Sequence, residues 1–212
     1  MRVIAGSARS RPLRAPTGER TRPTSDKIKG AIFSMLEAEA YRRGCDQEPA
    51  DDEHDGRFAA AVCWPRVLEL YAGSGALAIE ALSRGADRAA LVEPNAAARR
   101  VIADNLLRTG LTERATIHGL SSDVAVSTLA GLYDLILLDP PYDEPDVPRL
   151  LERLVMRGTV ASSAVLVWEH RRTITPLDVI GDASRGWRRL KTNTHGTSAI
   201  SLYAVVTAGG AN

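Results

Sequence analysis

A chain of 212 residues with 44% apolar side chains has material for one buried core, and its 25% charged fraction with modest glycine and proline excludes collagenous, coiled-coil and disordered classes. Its 27 basic and 26 acidic side chains leave a net charge of +1, and its longest strongly apolar run, 58–64, is far short of the roughly 20 residues that span a bilayer, so no membrane partner is expected. Two cysteines, Cys45 and Cys63, are too few for a disulfide framework and lack ligand spacing, which reads as a reducing, cytoplasmic setting without a metal site.

The near-neutral total hides an asymmetry. Residues 1–30 carry Arg2, Arg9, Arg11, Arg14, Arg20, Arg22, Lys27 and Lys29 against Glu19 and Asp26, a net +6. Residues 45–56 hold six acidic side chains and no Lys or Arg, a net −6, and read as a solvated loop. An Arg-rich, acid-poor start imitates a transit peptide, but Pro12, Pro16 and Pro23 break the amphipathic helix that such a peptide needs. Val3-Ile4 and Leu13 suggest a small β-hairpin bearing the arginines. Ile28, Ile32, Met35 and Leu36 then lie on one helical stripe, capped by Thr24, Ser25 or Asp26.

From residue 66 onward short apolar runs alternate with helical periodicity, the pattern of an open α/β sheet. Strands are expected at 67–70, ending at 91–92, at 116–117, 135–138 and 165–168. Helices are expected over 74–84, from about Asn95 to Gly110, and around Leu150, Leu151, Leu154 and Val155 up to Gly158. Residues 187–192 and 199–206, separated by Gly196-Thr197, read as a closing hairpin. The expected division is a basic hairpin and helix over 1–43, an acidic linker over 44–65 and a nucleotide-binding sheet over 66–212.

Two segments carry chemistry. In Glu69-Leu70-Tyr71-Ala72-Gly73-Ser74-Gly75-Ala76-Leu77-Ala78, the Gly73-x-Gly75-x-x-Ala78 spacing falls where the first strand turns into its helix. Glycines there let the backbone approach a nucleoside ligand. Glu93, 20 residues past Gly73 at the end of the second strand, suits both hydroxyls of a ribose. Asp139-Pro140-Pro141-Tyr142 directly follows the most apolar strand, at the same sheet edge. An exocyclic amine on a nucleobase is a poor nucleophile because its lone pair is delocalised into the ring. Asp139 and the Pro140 carbonyl are two acceptors for its two N–H groups, and Tyr142 can stack on the base. Acceptors aimed at the amine strengthen their grip as positive charge moves onto nitrogen, so no strong general base is required. The bland alternatives are a tight turn at the glycines and a proline-rich strand exit at Asp139. His54, His118, His170 and His195 form neither a triad nor a metal spacing, and Trp168 and Trp187 read as core.

The run 66–86, RVLELYAGSGALAIEALSRGA, with Glu93 and Asp139-Pro140-Pro141-Tyr142, resembles the amino-methylating class I S-adenosylmethionine-dependent methyltransferases. More narrowly, Met1-Arg2-Val3-Ile4-Ala5-Gly6, Leu13-Arg14-Ala15-Pro16 and Arg22-Pro23-Thr24-Ser25-Asp26-Lys27 are similar to the N-terminal signature of bacterial 16S ribosomal RNA guanine-N2 methyltransferases of the RsmD type. The resemblance implies a Rossmann-like, mostly parallel seven-stranded sheet whose last strand is antiparallel, preceded by the hairpin and helix. It implies methylation of a guanine N2 amine in 16S rRNA on the 30S subunit or an assembly intermediate, by a monomer. Gly73, Ser74 and Gly75 are then expected at the methionine end of the cofactor with Glu69 in the same motif, Glu93 at the ribose, and Asp123 at the adenine amine. Thr24 and Lys27 are expected at the cofactor carboxylate, and Arg2, Arg9, Arg11, Arg14 and Arg22 on RNA phosphates across the catalytic edge. Segment 44–65 is longer than that family leads one to expect. Other readings are a DNA adenine-N6 methyltransferase, for which no target-recognition insertion is present, a non-catalytic RNA-binding assembly factor, and, more distantly, a nicotinamide dehydrogenase.

Overall fold

The computed structural model describes residues 1–16, 25–45, 58–141, 144, 146–182 and 184–207. Arg22, Thr24, Tyr142 and nearly all of the acidic 45–56 segment lie outside the described residues. Helix α1 (Asp26–Arg42) is followed by the short α2 (Ala59–Cys63), β1 (Arg66–Leu70), α3 (Ala76–Ser83), β2 (Arg88–Val92) and α4 (Ala96–Thr109). Then come β3 (Ala115–His118), α5 (Ser122–Thr128), β4 (Tyr133–Leu138), α6 (Val147–Met156), β5 (Val160–Arg171), β6 (Val179–Gly181), β7 (Arg185–His195) and β8 (Ser198–Thr207).

One sheet runs in the order β3-β2-β1-β4-β5-β8-β7-β6. Its first five strands are parallel, and β8, β7 and β6 join through antiparallel pairs. This is the expected α/β Rossmann-like methyltransferase sheet with one correction: there are eight strands, not seven. The extra one is Val179–Gly181, which pairs along β7 from Val179↔Arg188 to Gly181↔Gly186. A three-residue edge segment has no periodicity to read.

Every residue of β1 after Arg66 is buried, as a central parallel strand covered on both faces must be. Alternate side chains serve opposite layers. Val67, Leu135, Leu137, Val165 and Val167 pack with α1, α3 and α4, while Leu68, Leu70, Ile136, Leu138 and Leu166 pack with α5 and α6. Local signals set the helix ends. Ser25 caps α1 by accepting from the Ile28 N–H, Asn95 caps α4 by accepting from Ala97 and Ala98, and Gly110 closes α4 at φ 75°.

The expected N-terminal hairpin is reduced to a short contact: Arg2↔Pro12 is an isolated bridge, flanked by the Val3 N–H on the Arg11 carbonyl and the Leu13 N–H on the Met1 carbonyl, both 3.0 Å. It extends no further because the next backbone donors go to α3. Ile4 and Ala5 give their N–H groups to the Glu80 carboxylate of α3, at 2.8 and 3.0 Å, and Pro12 has none to give. Glu80 also accepts from Lys29 Nζ at 3.2 Å and Arg84 Nε at 3.0 Å, with Lys29 and Glu80 both fully buried. Lys29 in turn donates to the Arg2 carbonyl. Gly6 (φ 82°) lies so close to α3 that a Cβ there would sit 1.8 Å from the Ser83 carbonyl oxygen. Val3, Ala8 and Leu13 accordingly belong to the same apolar cluster as α1 and the sheet.

The cysteine reading also changes. Cys45 follows α1 and Cys63 ends α2, and packing of those helices brings their Cα atoms to 5.5 Å, where they are disulfide-bonded. Sequence count could not foresee this, because the pairing depends on two helices meeting across 18 residues. No helix among the described residues is long and apolar enough to cross a membrane.

Candidate active site

Parallel strands aim their C-terminal ends at one edge, and the loops there form the ligand crevice of such sheets. The turn from β1 to α3 passes through three left-handed residues, Tyr71 (φ 57°), Gly73 (φ 54°) and Gly75 (φ 72°). The two glycines serve different purposes. A Cβ on Gly75 would press to 2.9 Å from Leu91 Cδ2 and 3.2 Å from Ile102 Cγ2, so that glycine is required by packing behind the loop. A Cβ on Gly73 would meet nothing nearer than the Tyr71 carbonyl oxygen at 3.9 Å, which leaves the outer side of the loop open to a ligand. Asn105 of α4 steadies the loop by donating to the Ser74 carbonyl at 2.9 Å.

Carboxylates end three neighbouring strands. Glu69 is fully buried under the loop, where its Oε2 accepts from the Ala78 N–H at 3.0 Å. Burial pushes its carboxyl up to about 8, against the hydrogen bonds from Ala78 and Leu77 and with help from the charges of Asp139 and Glu93. Glu69 thus holds the start of α3. Glu93, just past β2, accepts from Gly73 N–H at 2.9 Å and Asn95 N–H at 2.8 Å, which fixes the carboxylate beside the open face of the loop. Asp139 follows β4 on the other side of β1, two strand spacings or about 10 Å from Glu93 at the backbone.

Tyr71 links the glycine loop to the chain beyond Asp139. Burial, then the charge of Glu144, pushes its phenol up to about 12. Glu144 itself is set by a turn in which its N–H donates to the Pro141 carbonyl at 3.0 Å. Behind this turn is a cavity of about 230 Å³ walled by Pro140, Pro141, Glu144, Trp168, His170 and Leu177. Trp168 and His170 stand with ring centroids 4.8 Å apart. His170 is held by two contacts, Nδ1 to the Arg171 carbonyl and Nε2 to Ser201 Oγ, both 2.8 Å, and burial lowers its pKa. The outer wall is anchored where Tyr203 donates to the Leu177 carbonyl at 3.0 Å.

Of the sequence-predicted residues, Glu69, Gly73, Ser74, Gly75, Glu93, Asp139 and Pro140 come together at this edge. Lys27 is exposed in the first turn of α1. Asp123 is exposed in α5, a helix the sequence did not announce, and its carboxylate is gripped by Arg153 at 2.6 Å. The arginines are dispersed. Arg11 donates to the Arg108 carbonyl at 2.7 Å, at the far end of α4, and 7–8 bond to Ser83 at the far end of α3, so Arg9 and Arg11 belong to the edge opposite the glycine loop. Arg2 pairs with Asp26 and Arg14 with Asp104, and Arg14 neighbours the loop through Asn105. Sequence reasoning passed over Glu144, Trp168 and the exposed pair Arg171-Arg172, which lie at the end of β5 on the catalytic edge. Only the DPPY motif nearby hinted at them.

The family model described as "Conserved hypothetical protein 95" matches residues 1–204. The chain is 31% identical over 206 residues to a Bacillus subtilis (strain 168) protein named "Putative rRNA methyltransferase YlbH", covering 96% of this chain and 98% of that one. It is 27% identical over 172 residues to the "Ribosomal RNA small subunit methyltransferase D" of Escherichia coli (strain K12), covering 80% and 74%. A solved structure described as "Putative methyltransferase yhhF from Escherichia coli" superposes with a TM-score of 0.74 over 98% of both chains at 24% identity, a likeness of fold.

Proposed function

The chain belongs to this family of S-adenosylmethionine-dependent methyltransferases, and from that premise we propose that it methylates the exocyclic N2 amine of a guanine in 16S ribosomal RNA, on the small subunit or an assembly intermediate. The observation that carries the reading is the placement of Asp139-Pro140 one strand away from a glycine loop whose Gly73 face is open. S-adenosylmethionine bound at that loop supplies an electrophilic methyl on a sulfonium. Gly73 and Ser74 hold its amino-acid end and Glu93 its ribose, using the carboxylate lone pairs left after the Gly73 and Asn95 bonds. Asp123 reaches the adenine amine only by leaving Arg153.

Asp139 and the Pro140 carbonyl accept the two N–H bonds of the amine and point its lone pair at the methyl carbon. On transfer the C–S bonding pair would stay with the departing thioether, and Asp139 or water would take the extra proton from the alkylated nitrogen. Both acceptors bind the developing cation more tightly than the neutral amine, which lowers the barrier without a strong base. Tyr142 stacks on the base. Arg14, with Arg171 and Arg172, supplies phosphate contacts at the catalytic edge; Arg2, Arg9, Arg11 and Arg22 contribute where RNA wraps around residues 1–43.

Methyl transfer from labelled cofactor to 30S particles, naked 16S rRNA and duplex DNA, followed by nucleoside analysis, tests the reading. The expected product is N2-methylguanosine from the ribosomal substrates. Label in N6-methyladenosine overturns the guanine assignment, and cofactor binding with no transfer to any substrate favours an assembly factor.

A further inference from the structure

The cavity behind the Asp139-Pro140-Pro141 turn has no role in the reaction as derived so far. Its wall combines prolines with the Trp168 and His170 rings, which suit the faces of a planar heteroaromatic ring, and adds the charged side chain of Arg171. Pro140, whose carbonyl is one of the two acceptors assigned to the target amine, is part of that wall. It contains one carboxylate, Glu144, fixed by the Pro141 turn. The Glu144 carboxylate also meets the Tyr71 hydroxyl, so it is held between the glycine loop and this cavity.

We propose that this cavity receives the target base and that Glu144 makes it a guanine site by accepting the N1–H. The inference rests on the guanine-N2 reading above and deepens it. The Watson–Crick edge of guanine presents O6 as an acceptor, then N1–H, then the N2 amine. The Glu144 carboxylate, with Asp139 and the Pro140 carbonyl, is complementary to the last two of these, N1–H and the N2 amine. Adenine presents an amine and an unprotonated N1, so the same wall would set a carboxylate against a lone pair. Such a mismatch is where polar sites discriminate most, because the buried groups of the site are left unpaired. Glu144 is therefore a specificity residue that contacts substrate, distinct from Asp139, which holds the reacting nitrogen.

The test uses the full-length protein and small subunits reconstituted with 16S rRNA carrying either guanine or 2-aminopurine at the mapped methylation position. 2-Aminopurine keeps the N2 amine but has neither N1–H nor O6. Wild-type protein is expected to methylate guanine at least about tenfold faster, the discrimination of one good base-edge contact. Glu144→Gln, whose amide can donate to an unprotonated N1, is expected to narrow that ratio by about tenfold or invert it, with S-adenosylhomocysteine affinity and melting temperature unchanged. An unaltered ratio overturns the assignment of Glu144. If Glu144→Gln is inactive on both bases, titration by 2-aminopurine fluorescence decides. Tighter binding of the analogue than by wild type supports the proposal, and equal or weaker binding overturns it. Failure of the underlying reading looks different: wild-type protein would put no methyl on guanine N2 in any substrate.

Discussion

Helix α3 carries a buried glutamate system near each end, and the two behave oppositely. At its N-terminal end Glu69 meets only backbone N–H groups and neighbouring acids, so burial wins and the carboxyl keeps its proton to about 8. Toward its C-terminal end Glu80 meets two backbone N–H groups and two cations, Lys29 and Arg84. The first arrangement shapes a loop that must accept a ligand and tolerates a neutral acid. The second clamps the N-terminal segment to the sheet and depends on charge compensation. The same residue type thus positions chemistry at one edge and holds the chain together at the other.

Substitutions at the two ends should therefore separate activity from stability. The largest effect is expected at the catalytic edge: Asp139→Ala should lower turnover by about 10³-fold or more, on the scale of losing a transition-state acceptor. Cofactor affinity by calorimetry should remain within a few-fold, and an equal loss of cofactor binding would move Asp139 out of the substrate role. At the clamp, Glu80→Ala leaves Lys29 and Arg84 buried without their partner and should cost about 3–5 kcal/mol in denaturant unfolding. A loss under about 1 kcal/mol would mean that water or a rearranged backbone replaces the carboxylate. Gly6→Ala tests the same clamp sterically. The left-handed φ and the contact with the Ser83 carbonyl predict a loss of about 2 kcal/mol with turnover on the remaining folded protein unchanged.

Glu69 gives a smaller effect that is specific to pH. The unfolded carboxyl releases its proton near 4.5 and the folded one near 8, so unfolding releases a proton between those values and stability falls as pH rises through that window. Glu69→Gln should flatten this slope, which melting curves between about pH 5 and about pH 8 would show. An identical slope in both proteins would mean that the Glu69 carboxyl is already ionised when folded. The smallest effects concern RNA. Arg171→Ala plus Arg172→Ala should reduce the slope of log affinity against log salt by about 1–2, and Arg9→Ala plus Arg11→Ala by less. A larger drop from the second pair would show that RNA reaches the edge opposite the glycine loop.

Much of the sheet was legible because its signals are local. Leu135 to Leu138 read as a buried strand and lie within β4, with Asp139 directly after it. Gly73-x-Gly75 marked the turn from β1 into α3 for the same reason. The misses have physical causes. The N-terminal hairpin was expected from Val3, Ile4 and Leu13; Val3 and Leu13 do bond across to Arg11 and Met1, but the Ile4 and Ala5 N–H groups are claimed by Glu80 of α3, so no ladder extends. Clustering of arginines in sequence suggested a basic arm at the catalytic edge, yet the chain passes along α3 and α4 and delivers Arg9 and Arg11 to the opposite edge. Trp168 read as core and is buried in the apolar cluster with α5 and α6; its place at the end of β5 makes it a cavity wall as well.

The apolar periodicity determines from sequence alone that this is an α/β protein, and the two motifs mark the sheet edge for which we propose a nucleoside site and an amine-gripping turn. Those features depend on residues close in the chain. Tertiary structure decided what depends on distant residues meeting: that Cys45 reaches Cys63, that Glu80 gathers Lys29, Arg84 and the N-terminal backbone, and that Glu144 and Trp168 share a cavity beside Asp139. Such pairings arise when packed helices and neighbouring strands fix the register, and no period in the sequence encodes them.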